Sequence, residues 1–346
     1  MTSVDGILLV DKPAGVTSFA VVNHVRRALV DSFADLAPQP RRRRTGGPRP
    51  PRFKCGHAGT LDPLATGLLI LLIGKGSRLA PFLMGLGKTY VATVRFGTGT
   101  DTLDRDGKIV RTAPIPETPA EVAACLDRFT GAIMQVPPVI SALKKDGQPL
   151  YKRVRSGQDV PEPDPRPVTI HRLEMAGERW GTGGDGVFEI DLEVECSSGT
   201  YIRSLARDLA QAAGSEGHIQ ELRRLQVGPF AVDGALKGVL ELRGADLLES
   251  LIPLGEALPH LPALVLDENE AAAVRLGQQP RPDWLDRLET VTVAGSKAGR
   301  LFRMVDGAGD LVAVGKLDDE TDGPRIAAVI AAETPTIGQR GATECE

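Results

Sequence analysis

The chain has 346 residues, 42% hydrophobic and 25% charged, and a formal net charge of −4. That length fits two domains, with room for a sizeable core in at least one of them, and the composition is that of an ordinary soluble globular protein. No apolar run is as long as a membrane span, no basic region precedes the short apolar segment at the N-terminus, and Cys55, Cys125, Cys196 and Cys345 lack metal-ligand spacing; these features argue against a spanning segment, a signal peptide, and a zinc or disulfide framework.

Taken in order, Gly6 to Val10 is an apolar strand, closed by Asp11-Lys12-Pro13-Ala14-Gly15. Thr17 or Ser18 then caps a helix whose apolar face is Phe19, Val22, Val25 and Leu29. After Val30 the composition turns to Pro, Arg and Gly through Pro51, a flexible basic insertion over about residues 31–51. It leads into the turn-rich stretch Gly56-His57-Ala58-Gly59-Thr60-Leu61-Asp62-Pro63-Leu64-Ala65-Thr66-Gly67 and the apolar series Leu68 to Ile73, a polar site mounted on a core element. Pro63 biases Asp62 toward extended backbone, and an isolated Asp-Pro is usually a turn former.

Tyr90 to Phe96 alternates as a strand does. Gly87-Lys88-Thr89 is no phosphate loop, because Phe82 stands where the first glycine is needed, and Asp104 and Asp106 before Gly107 lack the closing glutamate of a calcium loop. Thr118-Pro119-Ala120-Glu121 is a capping box opening a helix through Val122, Cys125, Leu126 and Phe129 to Gly131. Gln135 to Tyr151 is a polar, basic loop. Phe188 to Cys196 alternates strictly and runs into Ser197-Ser198-Gly199-Thr200-Tyr201-Ile202-Arg203; a helix with Ile202, Leu205, Leu209 and Ala212 follows and stops at Gly214. Tyr201 and Arg203 thus sit at a strand-to-helix junction. Beyond Pro253, a helix over Asp267 to Leu276 and strands at Val291–Val293, Arg300–Val305 and Leu311–Lys316 make a small β-rich module.

Charge is unevenly spread. Arg41 to Lys54 carries +7, Lys144 to Arg155 carries +4, residues 253–346 carry −7 and residues 1–252 carry +3. Basic patches of this kind are where a polyanion docks, and acidity elsewhere is screened beyond about 8 Å. One Asp in a Gly-rich loop, tyrosines at two junctions, an arginine and no metal ligands together suggest metal-free chemistry on a nucleotide.

The stretch from Gly56 to Gly67 resembles the signature of the TruB family of tRNA pseudouridine synthases. The likeness extends to Asp11-Lys12-Pro13, Lys88-Thr89-Tyr90, Gln135-Val136-Pro137-Pro138 with Ser141-Ala142-Leu143-Lys144, Cys196 to Arg203, and Leu222-Arg223-Arg224-Leu225. It runs in order from about Asp5 to Lys316, and the module after Pro253 resembles a PUA RNA-binding domain. The resemblance implies an α+β protein: a catalytic domain over 1–252 with a large mixed, mainly antiparallel sheet flanked by helices, a PUA-like domain over 253–332, and a disordered tail over 333–346. It implies an isomerase acting in the cytoplasm as a monomer on the T-arm stem-loop of tRNA, converting uridine 55 to pseudouridine without metal or organic cofactor, with a possible further role in tRNA folding. Asp62, Tyr90 and Arg203 carry over as the catalytic set, Asp62 as the essential carboxylate and Arg203 as its partner. His57, Tyr201, Leu222, Arg223 and Lys144 carry over as substrate-binding residues, residues 135–159 as a clamp over the RNA, and Lys12 and Pro13 as structural. Two departures are the long basic insertion and Ser198, which stands where a Lys is frequent.

Overall fold

From Leu68 to Ile73 there is no polar side chain, and a strand of that kind is stable only when both faces are covered. In the computed structural model every residue from Gly67 to Ile73 is buried, in one strand of a nine-stranded sheet. The described residues are 4–36, 54–141, 144–145, 148–150, 153, 156, 160–181, 188–288, 301–318 and 323–330, with side chains described at all of these except 33–36, 144–145 and 148–149. The chain divides into two compact units, one of Leu8–Leu71 with Ala80–Ser250, the other of Met1–Ile7, Leu72–Leu79 and Leu251–Glu346.

In chain order the elements are β1 (Gly6–Lys12), α1 (Ser18–Leu36), β2 (Cys55–His57), β3 (Thr66–Ile73), α2 (Ala80–Met84) and β4 (Lys88–Phe96), then the hairpin β5 (Thr98–Thr100) and β6 (Ile109–Thr112). They continue as α3 (Pro119–Ala123), β7 (Gly131–Gln135), the short pair β8 (Lys144–Lys145) and β9 (Gln148–Pro149), β10 (Arg166–Trp180), β11 (Phe188–Cys196), α4 (Ile202–Ala212), β12 (Gly217–Val227), β13 (Phe230–Ala231) and α5 (Gly244–Glu249). The large sheet runs β1-β3-β12-β4-β11-β10-β7, with β2 added to β3 and β13 to β12. β3 and β12 are parallel, while β12–β4, β4–β11, β11–β10 and β10–β7 are antiparallel. This is the mixed, mainly antiparallel sheet with flanking helices that the sequence leads one to expect.

Alternation along β4 sorts its side chains: Lys88, Tyr90, Ala92, Val94 and Phe96 are buried on one face, while Thr89, Val91 and Arg95 lie on the other and are less buried. On the neighbouring strand Glu189, Asp191, Glu193 and Glu195 pair with Arg95, Thr93, Val91 and Thr89 and so share that outer face. Gly67 shows how close the backbones come at the centre. Its φ is +99° and a Cβ there would lie 2.2 Å from the carbonyl oxygen of Arg224, so any side chain would push β3 off β12.

Several local expectations are corrected. Phe19 is 67% exposed; the buried stripe of α1 is Val21, Val22, Val25 and Leu29, with Ser18 beneath it. That helix also continues to Leu36, since residues 31–36 hold no Gly or Pro to stop it; the rest of the basic insertion, 37–51, lies outside the described residues. Thr118 makes no side-chain cap, α3 ends after five residues, and the chain tightens into a 3₁₀ turn over Leu126–Phe129. Only Val122 is buried there, which is too little core contact to sustain a longer helix.

The smaller unit holds β14 (Ala263–Val265), α6 (Glu268–Arg275), β15 (Leu301–Val305), β16 (Leu311–Leu317) and β17 (Pro324–Val329), its strands forming a four-stranded sheet in the order β14-β15-β16-β17. Leu264, Val274, Trp284, Phe302, Met304 and Val312 form its core. Asp267 and Glu270 exchange the two hydrogen bonds of a capping box at the start of α6. The expected strand at Val291–Val293 and the tail lie outside the described residues.

Candidate active site

Asp62 sits in a loop whose backbone is held by three distant side chains. Ser18 Oγ accepts from Leu61 N and donates to Leu61 O, both at 2.9 Å. Arg224 Nη2 and Nη1 donate to Gly59 O at 3.3 Å and Thr60 O at 3.5 Å, while its Nε donates to Leu68 O at 2.7 Å. Lys12 Nζ donates to Pro63 O at 3.2 Å and to Pro13 O and Val16 O at 2.8 Å, and Gly15 N reaches Pro63 O as well. The carbonyls of residues 59, 60, 61 and 63 are therefore all engaged, which fixes Asp62 without touching its carboxylate. Lys12 is fully buried, and burial pushes its ammonium down to about 8, with Asp62 acting in the opposite direction.

The carboxylate has its own partner. Arg203 Nε lies 2.9 Å from Asp62 Oδ2, with the Asp62 side chain 34% exposed and that of Arg203 only 6%. Arg203 Nη1 donates to Thr102 O at 2.7 Å and approaches Asp104 Oδ2 at 3.5 Å, and Nη2 donates to Ile140 O at 3.1 Å. Two carboxylates and two carbonyls thus aim one guanidinium, an arrangement that suits the planar fork of Arg and not the point charge of Lys. Asp104 belongs to a turn pinned to β12: Arg105 N donates to Ile219 O at 2.9 Å and Ile219 N to Leu103 O at 3.1 Å. Leu103 there has φ +63°, the one non-glycine with positive φ among the described residues; such a conformation costs about 1–2 kcal/mol. Burial raises the Asp104 carboxyl, while the Thr102 hydroxyl, 2.6 Å from Oδ1, and Arg203 lower it.

Arg203 is delivered by the first turn of α4. Gln135, buried at the end of β7, donates through Nε2 to Tyr201 O at 3.1 Å and accepts at Oε1 from Tyr201 N at 2.8 Å. Ser204 Oγ donates to Val136 O at 2.8 Å. Beside Arg203 lies a cavity of about 280 Å³ whose lining includes Asp62, Tyr90, Ser141, Tyr201, Arg203 and Leu222. It is near the small end of the ligand-pocket range of roughly 300–1,000 Å³, a space for one nucleoside and not for a length of chain. Burial raises the phenols of both Tyr90 and Tyr201, so both rings stay neutral at physiological pH.

Residues 45–202 match the TruB family pseudouridylate synthase N-terminal domain, and residues 203–257 match the tRNA pseudouridylate synthase B C-terminal domain. A protein of Aromatoleum aromaticum named tRNA pseudouridine synthase B is 41% identical over 277 residues, 80% of each chain. Another of that name from Corynebacterium diphtheriae is 37% identical over 338 residues, 96% of this chain and 97% of its own. The chain belongs to the TruB family of pseudouridylate synthases. Among solved structures, an H/ACA RNP bound to a substrate RNA containing 2′-deoxyuridine matches with a TM-score of 0.62 at 21% identity, covering 94% of this chain and 85% of that one. At that identity the likeness shows the fold alone, the pseudouridine synthase fold.

Of the residues that the TruB-like motifs single out, Asp62, Tyr90, Tyr201, Arg203 and Leu222 come together in the cavity. Arg223 does not line it: it points to the outer face of the sheet, where Nη2 and Nη1 meet Asp11 Oδ2 at 2.7 Å and Oδ1 at 3.0 Å. The adjacent Arg224 takes the inner position, 1% exposed and beside Tyr90. His57 is half-buried on β2, outside the cavity lining, with its ring pKa lowered by burial and by Arg224. The Lys144 side chain lies outside the described residues, as do many positions of the 135–159 clamp. Sequence reasoning missed Ser18 and Gln135 as supports of the site, offered Arg224 only as a residue near RNA backbone or in support of the fold, and took Asp104 only for part of a turn. Their signal lay in the family-like motifs around them, but nothing local said what each would touch. Among the described residues, no cluster of three or more His, Cys, Asp or Glu could hold a metal ion, and no helix is long and apolar enough to cross a membrane.

Proposed function

We propose that this chain converts uridine 55 in the T-arm loop of tRNA to pseudouridine, with Asp62 as the essential carboxylate. The observation that carries the reading is the Asp62–Arg203 pair at 2.9 Å in a cavity walled by Tyr90, Tyr201 and Leu222. The reaction is an isomerisation: the C1′–N1 bond breaks, a C1′–C5 bond forms, and the C5 proton is replaced by one on N1, so no oxidant or reductant is consumed. A carboxylate held by one guanidinium can attack sugar or base, or take the 2′ proton, and each route needs it ionised.

The target base must leave its stack to enter so small a cavity, at a cost of a few kcal/mol. Tyr90, on the cavity wall, would stack on it, and base–aromatic stacking contributes roughly 1–3 kcal/mol. Tyr201 and Leu222 close the other walls, and the four-stranded unit, PUA-like in its short strands and turns, would extend the RNA contact. The test is to incubate the protein with an unmodified tRNA transcript and map pseudouridine. Product is expected at position 55; product elsewhere, or none, would overturn the assignment. Asp62→Asn should keep tRNA affinity while losing roughly a thousandfold or more in turnover.

A further inference from the structure

We propose that Ser141 contacts the substrate, its hydroxyl making a hydrogen bond to the base of the flipped uridine; this deepens the reading above and rests on it. Ser141 is 5% exposed and lines the same cavity as Asp62, Tyr90 and Leu222. Its backbone is fixed from both sides, with Ser141 N donating to Val139 O at 3.1 Å and the preceding carbonyl, Ile140 O, accepting from Arg203 Nη2 at 3.1 Å. The guanidinium that aligns Asp62 therefore also sets the position of the Ser141 hydroxyl.

Five other polar side chains of the wall are already committed. Arg203 serves two carboxylates and two carbonyls, and Arg224 serves Gly59 O, Thr60 O and Leu68 O. Lys88 Nζ donates to Met84 O at 2.7 Å and Leu86 O at 2.6 Å, Ser197 Oγ accepts from Thr169 N, and Thr200 Oγ1 donates to Ser197 O. Among the described residues, Ser141 Oγ is the one buried polar side-chain atom of this wall with no partner. Beside it stands the Tyr201 phenol, whose pKa burial raises and the Ser141 hydroxyl lowers, but the two groups do not meet the distance and angle of a formed hydrogen bond.

A buried hydroxyl left unpaired destabilises the free protein, and the cost is recovered when a ligand supplies the missing partner. Uracil offers O2, O4 and N3–H, and a flipped base must satisfy this edge inside the pocket or lose its hydration uncompensated. A serine hydroxyl can donate or accept, so the contact anchors the base without by itself separating uracil from cytosine.

Removing the hydroxyl should therefore weaken substrate binding and leave the free fold no less stable, a pairing of signs that a structural serine would not give. Tight-binding and single-turnover measurements with Ser141→Ala and Ser141→Thr test this, using a tRNA with its target uridine and the same tRNA with an abasic target. The target is whichever uridine the wild type converts, so a wrong position appears in the wild-type map, whereas a wrong role for Ser141 appears in the ratio between tRNAs. If the wild type converts none, the affinity ratio at position 55 still reads the contact. Ser141→Ala is expected to lose roughly fivefold to tenfold in affinity and kcat/KM for the uridine tRNA, none for the abasic tRNA, and nothing in melting temperature. Ser141→Thr should recover at least half of the loss. A change below twofold, an equal loss on the abasic tRNA, or a loss accompanied by a lower melting temperature would overturn the proposal.

Discussion

On the outer face of the large sheet, Glu189 accepts from Arg95 at 2.8 and 2.6 Å and from Arg179 at 2.9 Å, while Arg179 also reaches Asp191 at 3.1 Å. On the inner side, Arg203 joins Asp62 and Asp104. Both are Arg–carboxylate networks with similar distances, and they differ in what surrounds them. The outer arginines have side chains 39% and 50% exposed against 6% for Arg203, so water screens the outer pairs and competes for every donor. Arg203 has no such alternative: its donors end on protein acceptors, two of them backbone carbonyls. The outer network ties strands together, whereas the inner one fixes the direction of a single carboxylate, which is what a reaction needs from it.

The largest expected effect separates the two networks directly. Arg203→Lys keeps a positive charge but cannot span four acceptors, so kcat should fall by about a hundredfold with tRNA affinity nearly unchanged. A variant within threefold of wild type in single turnover would show that charge alone suffices. Next, Asp104→Asn should lower kcat by about tenfold, because Arg203 loses one of its supports. Burial raises the Asp104 carboxyl, and an acid raised in the fold contributes stability at low pH that is lost as pH climbs through its folded pKa. At neutral pH Asp104→Asn should thus melt no lower than wild type, and calorimetry showing a large drop would mark Asp104 as mainly structural.

The outer face should respond the other way. Glu189→Gln removes a charge shared by two arginines and should lower the melting temperature by about 2–4 °C, with kcat/KM unchanged; altered catalysis there would dissolve the distinction between the faces. The smallest effect concerns Lys88 on the inner side, whose ammonium burial pushes from 10.5 to about 8, with Arg224 adding to the shift. Above pH 8 the folded chain releases this proton while the unfolded chain keeps it to about 10.5, so stability from this group is absent below 8 and grows across that window. Melting curves of wild type and Lys88→Met between pH 7.5 and 10 should diverge in favour of wild type as pH rises. Parallel curves would mean that the ammonium is better solvated than its burial indicates.

The elements read correctly from sequence were those with clean periodicity, such as β11, where Glu189 to Glu195 alternate with apolar partners, and α6 with its Asp267 cap. β10 and β12 went unread because bulges break their alternation, between Ile170 and Arg172 and between Met175 and Gly177 in one, and at Ile219/Glu221 and Arg224/Gln226 in the other. The register of β12 also decides where Arg223 goes. Two adjacent arginines look equivalent in a sequence, and the register alone decides that Arg224 pairs across from Tyr90 while Arg223 pairs across from Val91. Asp62, Tyr90 and Arg203 were legible through a family-like motif, whereas the hydrogen bonds of Ser18, Gln135 and Arg224 to backbone have no local signature, because any polar residue of suitable length could make them.

The loop that carries Asp62 takes its hydrogen bonds from Lys12 and Ser18 on one side and from Arg224 on the other. Translation supplies these in sequence, so a nascent chain that has passed Asp62 must add some 160 further residues before the guanidinium that holds Gly59 exists. Contacts this far apart form late, after the costs of closing the intervening loops have been met. A prematurely released fragment that ends before Ile202 would therefore carry Asp62 with neither Arg203 to hold its carboxylate nor Arg224 to hold its loop.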